Sequence, residues 1–149
     1  MKKQSADSLK IAYRRLPKYV LEHKVVVDVG KVHWTAAQFC PLASRHITLD
    51  IDGTLTIEAG FPWDGPSGPA VDTKSFMPGS LVHDALYRLW REHSLDERFR
   101  MWADKVMRRI NAGAGMAAPR RWWTWLGVRV GGRGGGKQPR MGEDVITAP

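Results

Sequence analysis

Cysteine is nearly absent. Cys40 stands alone, which excludes an internal disulfide framework and fits a reducing compartment. It sits in "QFCPLAS" with no histidine or acid beside it, so it reads as a small buried hydrophobe rather than a nucleophile. No apolar run approaches the roughly 20 residues that a membrane-spanning helix needs. The opening "MKKQSADSLKIAYRRL" is basic but lacks an apolar h-region, so no secretory signal is expected. His23, His33 and His46 fall in strand-like segments without metal-ligand spacing, which argues against zinc. Acid is also scarce: 15 acidic residues face 23 basic ones, a net charge of +8. That excess favours anionic partners, whether a phospholipid surface, nucleic acid or an acidic protein, without choosing among them.

What is present points to an α+β fold, with an antiparallel N-terminal β-sheet packed against a two- to three-helix C-terminal layer. The 149 residues suit one globular domain over 1–130, followed by a tail. Strands are expected over about 9–60. "KVVVDVGKV" is a β-branched run ending at Gly30, and "HITLDIDGTLTIEAG" reads as a hairpin. There Ile47, Leu49 and Ile51 alternate with polar residues, Asp52-Gly53 makes the turn, and Leu55 and Ile57 resume the alternation. Residues 61–79 form a long connection rich in glycine and proline, of the kind usually tied to function. Helices are expected over 80–130. Ser80 can cap the first, whose face is Val82, Ala85, Leu86, Leu89 and Trp90. Ser94-Leu95-Asp96-Glu97 reads as a capping box opening the second, which carries Phe99, Trp102, Ala103, Val106 and Ile110 and ends at Asn111 and Gly113. A third is expected over about 116–129. The tail from Gly131, "GGRGGGKQPRMGEDVITAP", has too little apolar content to pack and is expected to be flexible.

The chemistry-bearing residues gather around the connection and the first helix. His83 and Tyr87 lie one turn apart and share a face. If the second helix runs antiparallel, Asp104 comes opposite them. It sits on the flank of the apolar stripe, at its boundary with solvent, and can reach one nitrogen of His83. An acid that fixes the imidazole tautomer leaves the other nitrogen free to take a proton from water. Asp84, with backbone carbonyls of "WDGPSG", would supply the hard oxygens that calcium prefers. Plainer roles exist for each residue. Asp84 suits a helix N-terminus and can pair with Arg88, His83 can be a packing residue, and Asp104 can pair with Arg100 or Arg108. Asp64 and Asp72 suit Asx turns. Ser67 in "GPSGP" departs from a nucleophile elbow at Pro66.

His83-Asp84-Ala85-Leu86-Tyr87 resembles the His-Asp-x-x-Tyr motif of phospholipase A2 enzymes. Gly65-Pro66-Ser67-Gly68 precedes it at about the distance of the Gly-Pro-type calcium loop in the phospholipase domains of parvovirus capsids. Ala103-Asp104 follows at a separation similar to that of the family's second-helix aspartate. The resemblance covers residues 63–107. It implies His83 as general base, Asp104 as its orienting partner and Tyr87 as support for that pair. It also implies Asp84 as a calcium ligand, with the loop backbone near Asp64 and Gly65. The order hairpin, "GFPWDGPSGP", "HDALY", then a Trp-rich helix with "GVRV" is similar to a phage and prophage family catalogued as domain of unknown function 1353. That resemblance implies a location in the infected bacterial host cytoplasm or the phage virion, and no established activity.

Three functions follow as expectations. The first is a hydrolase acting on phospholipid esters, with calcium as its cofactor. The second is a non-enzymatic virion, tail or host-interaction component in which the His-Asp motif is a structural brace. The third is a basic nucleic-acid-binding accessory, using phosphate contacts from "GGRGGGK". Trp122, Trp123 and Trp125, flanked by Arg120 and Arg121, suit core and interface, or a membrane surface with the rings at headgroup depth.

Overall fold

A computed structural model describes residues 2–15, 18–65, 74–119, 121–122 and 142–148. Among these, the class is α+β: two sheets rich in antiparallel pairs, and a C-terminal pair of long helices.

The first sheet holds β1 (Gln4–Ser5), β4 (Val25–Asp28), β5 (Leu42–Ser44), β6 (Ile47–Leu49) and β7 (Thr54–Ile57), in the order β1-β4-β7-β6-β5. Its period-2 pattern places Val25, Val27, Ile47, Leu49, Leu55 and Ile57 on the buried face. Thr48 and Thr56 pair on the other face. The expected hairpin is β6–β7. Asp52 Oδ1 accepts the Thr54 N–H at 2.8 Å and closes the turn. Ile51 does not continue the strand as expected. The turn begins there, and its side chain is exposed.

The second sheet holds β2 (Ile11–Arg15), β3 (Tyr19–Leu21), β8 (Pro62–Trp63) and β9 (Gly142–Ala148), in the order β8-β3-β2-β9. Tyr13, Tyr19 and Trp63 pack together, with ring centroids 5.5–5.6 Å apart. β9 corrects the expectation of a flexible tail for residues 142–148, while residues 131–141 lie outside the described residues. Ile11 pairs with Ala148, Tyr13 with Ile146 and Arg14 with Val145. The glycine-rich average of the tail hides a short β-forming run, Val145-Ile146-Thr147, that covers the edge which β2 would otherwise leave open.

A short helix, α1 (Trp34–Ala37), follows β4, and the helical layer is α2 (Met77–Glu92) and α3 (Glu97–Gly113). α2 begins three residues before Ser80. Pro78 occupies its first turn, where a missing N–H costs nothing. Ser80 is therefore not a cap: it is buried, donates to Met77 O at 3.0 Å and accepts the Trp63 Nε1–H at 3.2 Å. The capping box also shifts. Ser94, at φ 50°, takes the left-handed position that closes α2, with Ser94 N–H donating to Arg91 O and Leu95 N–H to Trp90 O. Asp96 is the cap of α3 and accepts the Phe99 N–H at 3.1 Å. Of the third expected helix, residues 118–119 and 121–122 are helical, and Trp123 and Trp125 lie outside the described residues.

One core joins these layers. Leu81, Val82, Ala85, Leu86 and Leu89 of α2 and Phe99, Ala103, Val106 and Ile110 of α3 are buried with the inner faces of both sheets. At roughly 25 cal/mol per Å² of apolar surface, this burial is the main force holding the helices to the sheets.

Candidate active site between the two long helices

A four-residue connection turns α3 back along α2, so contacts run in opposite chain directions. Gly79 meets Asn111 near one end, His83 meets Asp104 near the middle, and Tyr87 meets Arg100 beyond it. Gly79, His83 and Tyr87 stand at i, i+4 and i+8, and Arg100, Asp104 and Asn111 at i, i+4 and i+11. Each set follows one helical face. α3 therefore carries two stripes side by side, an apolar one for the sheets and a polar one for α2.

The polar stripe buries its acid. His83 Nε2–H donates to Asp104 Oδ1 at 2.9 Å, and Tyr87 O–H donates to the same oxygen at 2.6 Å. His83 and Tyr87 also stack, with ring centroids 3.9 Å apart. His83 is 6% exposed and Asp104 only 1%. Asp104 thus does not lie at the solvent boundary as its own helix suggests, because the crossing of α2 covers that flank. Its second oxygen, Oδ2, has no hydrogen-bond partner among the described residues, and Arg100 Nη1 stands 3.7 Å from it. Arg100 Nη1 also donates to Tyr87 Oη at 3.3 Å, while Arg100 Nε donates to Glu97 at 2.7 Å. Arg100 is the member of this network that the sequence reading did not place in the site. Its signal there was only its i−4 position relative to Asp104.

Burial acts on each group first and the neighbours reverse it. For His83, burial pushes the pKa down, but the hydrogen bond to Asp104 and the nearby Asp84 more than offset it. The imidazole is held above the ordinary histidine value. For Asp104, burial pushes up. The His83 and Tyr87 hydrogen bonds and the charges of His83 and Arg100 outweigh it, holding the carboxyl below its usual range. Burial and Asp104 raise the Tyr87 phenol.

The other imidazole nitrogen faces differently. Asp84 Oδ1 stands 3.9 Å from His83 Nδ1, too far for a direct hydrogen bond, and that nitrogen has no other polar partner among the described residues. Asp84 is half-buried, and its Oδ2 accepts the Asp64 N–H at 3.2 Å. The Asp64 carboxylate turns outward to Lys18 Nζ at 3.0 Å. Gly65, at φ +75°, packs flat against Tyr19, whose Cε2 would lie 2.3 Å from an added Cβ.

The expected calcium set is therefore brought only partly together. Asp84 stands 3.9 Å from the imidazole and accepts the Asp64 backbone N–H, which brings it beside the loop backbone, while the Asp64 side chain pairs with Lys18. Among the described residues, no three histidine, cysteine or acidic side chains gather as a metal group. These residues do not by themselves form the six to eight oxygens of a calcium shell. Residues 66–73, including Ser67 and Asp72, lie outside the described residues. The expected Asp84–Arg88 pair gives way to another contact. The Arg88 guanidinium lies over the Phe61 ring at 4.7 Å and donates to Pro62 O at 3.4 Å.

No helix among the described residues is long and apolar enough to cross a membrane. The chain matches no family model, and no curated protein or solved structure is significantly similar to it.

Proposed function

We infer that this protein is a hydrolase whose general base is His83, acting on phospholipid esters. The observation that carries this reading is an imidazole clamped at Nε2 by a buried carboxylate, with Nδ1, beside Asp84, unbonded among the described residues. A water between Nδ1 and Asp84 Oδ1 gives up a proton to Nδ1 while its oxygen attacks the ester carbonyl carbon. The resulting imidazolium is stabilised by Asp104, then passes the proton to the departing alcohol. The products are a fatty acid and the deacylated phospholipid. Asp104 and Tyr87 are positioning residues in this scheme, since neither touches the reacting atoms. The His83 and Tyr87 hydrogen bonds, with a smaller contribution from the Arg100 charge, keep Asp104 anionic. If calcium binds, Asp84 with the backbone carbonyls near Asp64 and Gly65 would hold it, and it would polarise the ester carbonyl. The phage setting implied by the family resemblance agrees with an activity directed at a bacterial membrane.

Fatty-acid release from anionic phospholipid vesicles tests the reading. Wild type should release fatty acid, and His83→Gln, matched to it in thermal midpoint, should lose about a hundredfold or more. A chelator arm and Asp84→Asn report whether a divalent ion contributes at Asp84. Wild type that is folded and releases nothing would end the hydrolase reading.

Burial favours a second reading. With His83 at 6% and Asp104 at 1% exposure, the same network can serve as a polar brace across the helix pair of a non-enzymatic virion component. On that reading His83→Gln unfolds the protein at lower temperature and no ester is cleaved.

A further inference from the structure

The described surface carries two large aromatic side chains close together in sequence and away from the helix crossing. Trp34, in α1, is 68% exposed, and Phe39, in the turn that follows it, is 58% exposed. Their exposure does not come from slack chain. Ala36, between them, is fully buried, and Phe39 N–H donates to Ala36 O at 2.9 Å. Thr35 Oγ1 donates to Asp96 Oδ1 at 3.0 Å, tying α1 to the cap of α3. The turn is held firmly while its two rings are left in water, an arrangement that costs apolar hydration unless something covers them.

The charges beside the rings say what covers them. The Arg98 guanidinium lies 5.7 Å from the centroid of the Trp34 ring. Lys31, three residues ahead of Trp34, is exposed. Neither cation has a carboxylate partner among the described residues. Of the acids at the start of α3, Asp96 is taken by the α3 cap and Thr35 and Glu97 by Arg100, while Asp50 lies within electrostatic reach of Cys40, next to Phe39. The exposed Trp34 ring thus carries a guanidinium that has no carboxylate partner among the described residues, with an exposed lysine three residues ahead. The size of the patch argues in the same direction. Two large rings offer at most about 500 Å². A specific protein partner covers roughly 800 Å² per side. Rings of this kind, with an arginine stacked on one, match the headgroup depth of a bilayer, where ring and cation are both satisfied.

We propose that the α1 turn, through Trp34 and Phe39 with Lys31 and Arg98 at its edge, docks the protein on an anionic phospholipid surface. This deepens the phospholipid reading above and rests on it for the identity of the surface. It also ties the contact to the helix that carries the site's carboxylate. Arg98 and Asp104 lie six residues apart on α3, roughly 9 Å along the helix axis.

The test is cosedimentation of the full chain with two kinds of vesicle, phosphatidylglycerol mixed with phosphatidylcholine, and phosphatidylcholine alone. Wild type should pellet with the anionic vesicles and much less with the neutral ones. The Trp34→Ala/Phe39→Ala variant, which removes only exposed rings and should keep its thermal midpoint, should bind on the order of tenfold or more weakly. Lys31→Ala/Arg98→Ala should weaken binding and flatten its dependence on salt. Wild type that binds vesicles and releases no fatty acid ends the hydrolase reading and leaves the docking proposal standing. An aromatic variant that binds like wild type overturns the docking proposal, whatever the hydrolysis assay gives. So does a wild-type oligomer that the aromatic variant dissolves, since the turn would then face a second copy of the chain.

Discussion

Two contacts cross the same helix pair and use polar side chains for opposite ends. Near one end, Asn111 Oδ1 occupies the space a Cβ on Gly79 would fill, 2.0 Å from that position, and it has no hydrogen-bond partner among the described residues. That contact is steric: glycine lets the helices close, and the amide oxygen fits against backbone. One turn along α2, His83 and Tyr87 converge on a single oxygen of Asp104. This contact is electrostatic, with a buried anion answered by two donors and a nearby guanidinium. The first sets how closely the helices approach, and the second spends that approach on a dry, fixed imidazole–carboxylate pair. Burial alone therefore does not distinguish packing from chemistry. What distinguishes them is whether a titratable group is left with one atom unbonded, and at His83 that atom is Nδ1.

Mutations separate the two contacts. The largest effect is expected from Asp104→Ala, which strands the imidazole and the phenol in a buried crossing. It should cost about 3–5 kcal/mol in denaturant unfolding. A loss below about 1 kcal/mol would mean the pair contributes little. Gly79→Ala should cost about 1–3 kcal/mol by overpacking against Asn111, and Gly79→Ala/Asn111→Ala should recover part of that loss. An unaffected single variant would mean the helices are free to part there.

The smallest effect is one of shape, in stability against pH. His83 is held above its ordinary value, so its contribution is complete below about pH 6.5 and is lost as pH rises through the folded-state value. Asp104 is held below its ordinary value, so its contribution is complete above about pH 3.9 and is lost as pH falls through the folded-state value. Stability from the pair should therefore peak between these limits and decline on both sides. Asp104→Asn should flatten that profile, and an unchanged profile would show that the two groups are not linked.

Local signals carried much of this architecture. Alternation around Asp52-Gly53 was enough for the β6–β7 hairpin, and helical spacing was enough for the core faces of α2 and α3. The features that were not legible depend on partners distant in sequence. Asp104 reads as a flank residue on its own helix, and only the crossing of α2 buries it. Ser94 has the chemistry of a helix start, yet the chain needs it to finish α2 before Asp96 can begin α3. β9 is too short to stand out in a glycine-rich tail and exists because β2 offers it an edge. The His83–Tyr87 face was visible at i, i+4. The commitment of Asp64 to Lys18 was not, since it depends on how β3 and the segment after β8 come together.

The central claim is that one imidazole is fixed through Nε2 and open at Nδ1. Nitrogen NMR of the His83 ring across pH tests it directly. Nε2 should stay protonated throughout, and Nδ1 alone should titrate, at a pH above the ordinary histidine value. A neutral ring protonated on Nδ1, or a ring that does not titrate between acid and alkaline unfolding, would contradict it.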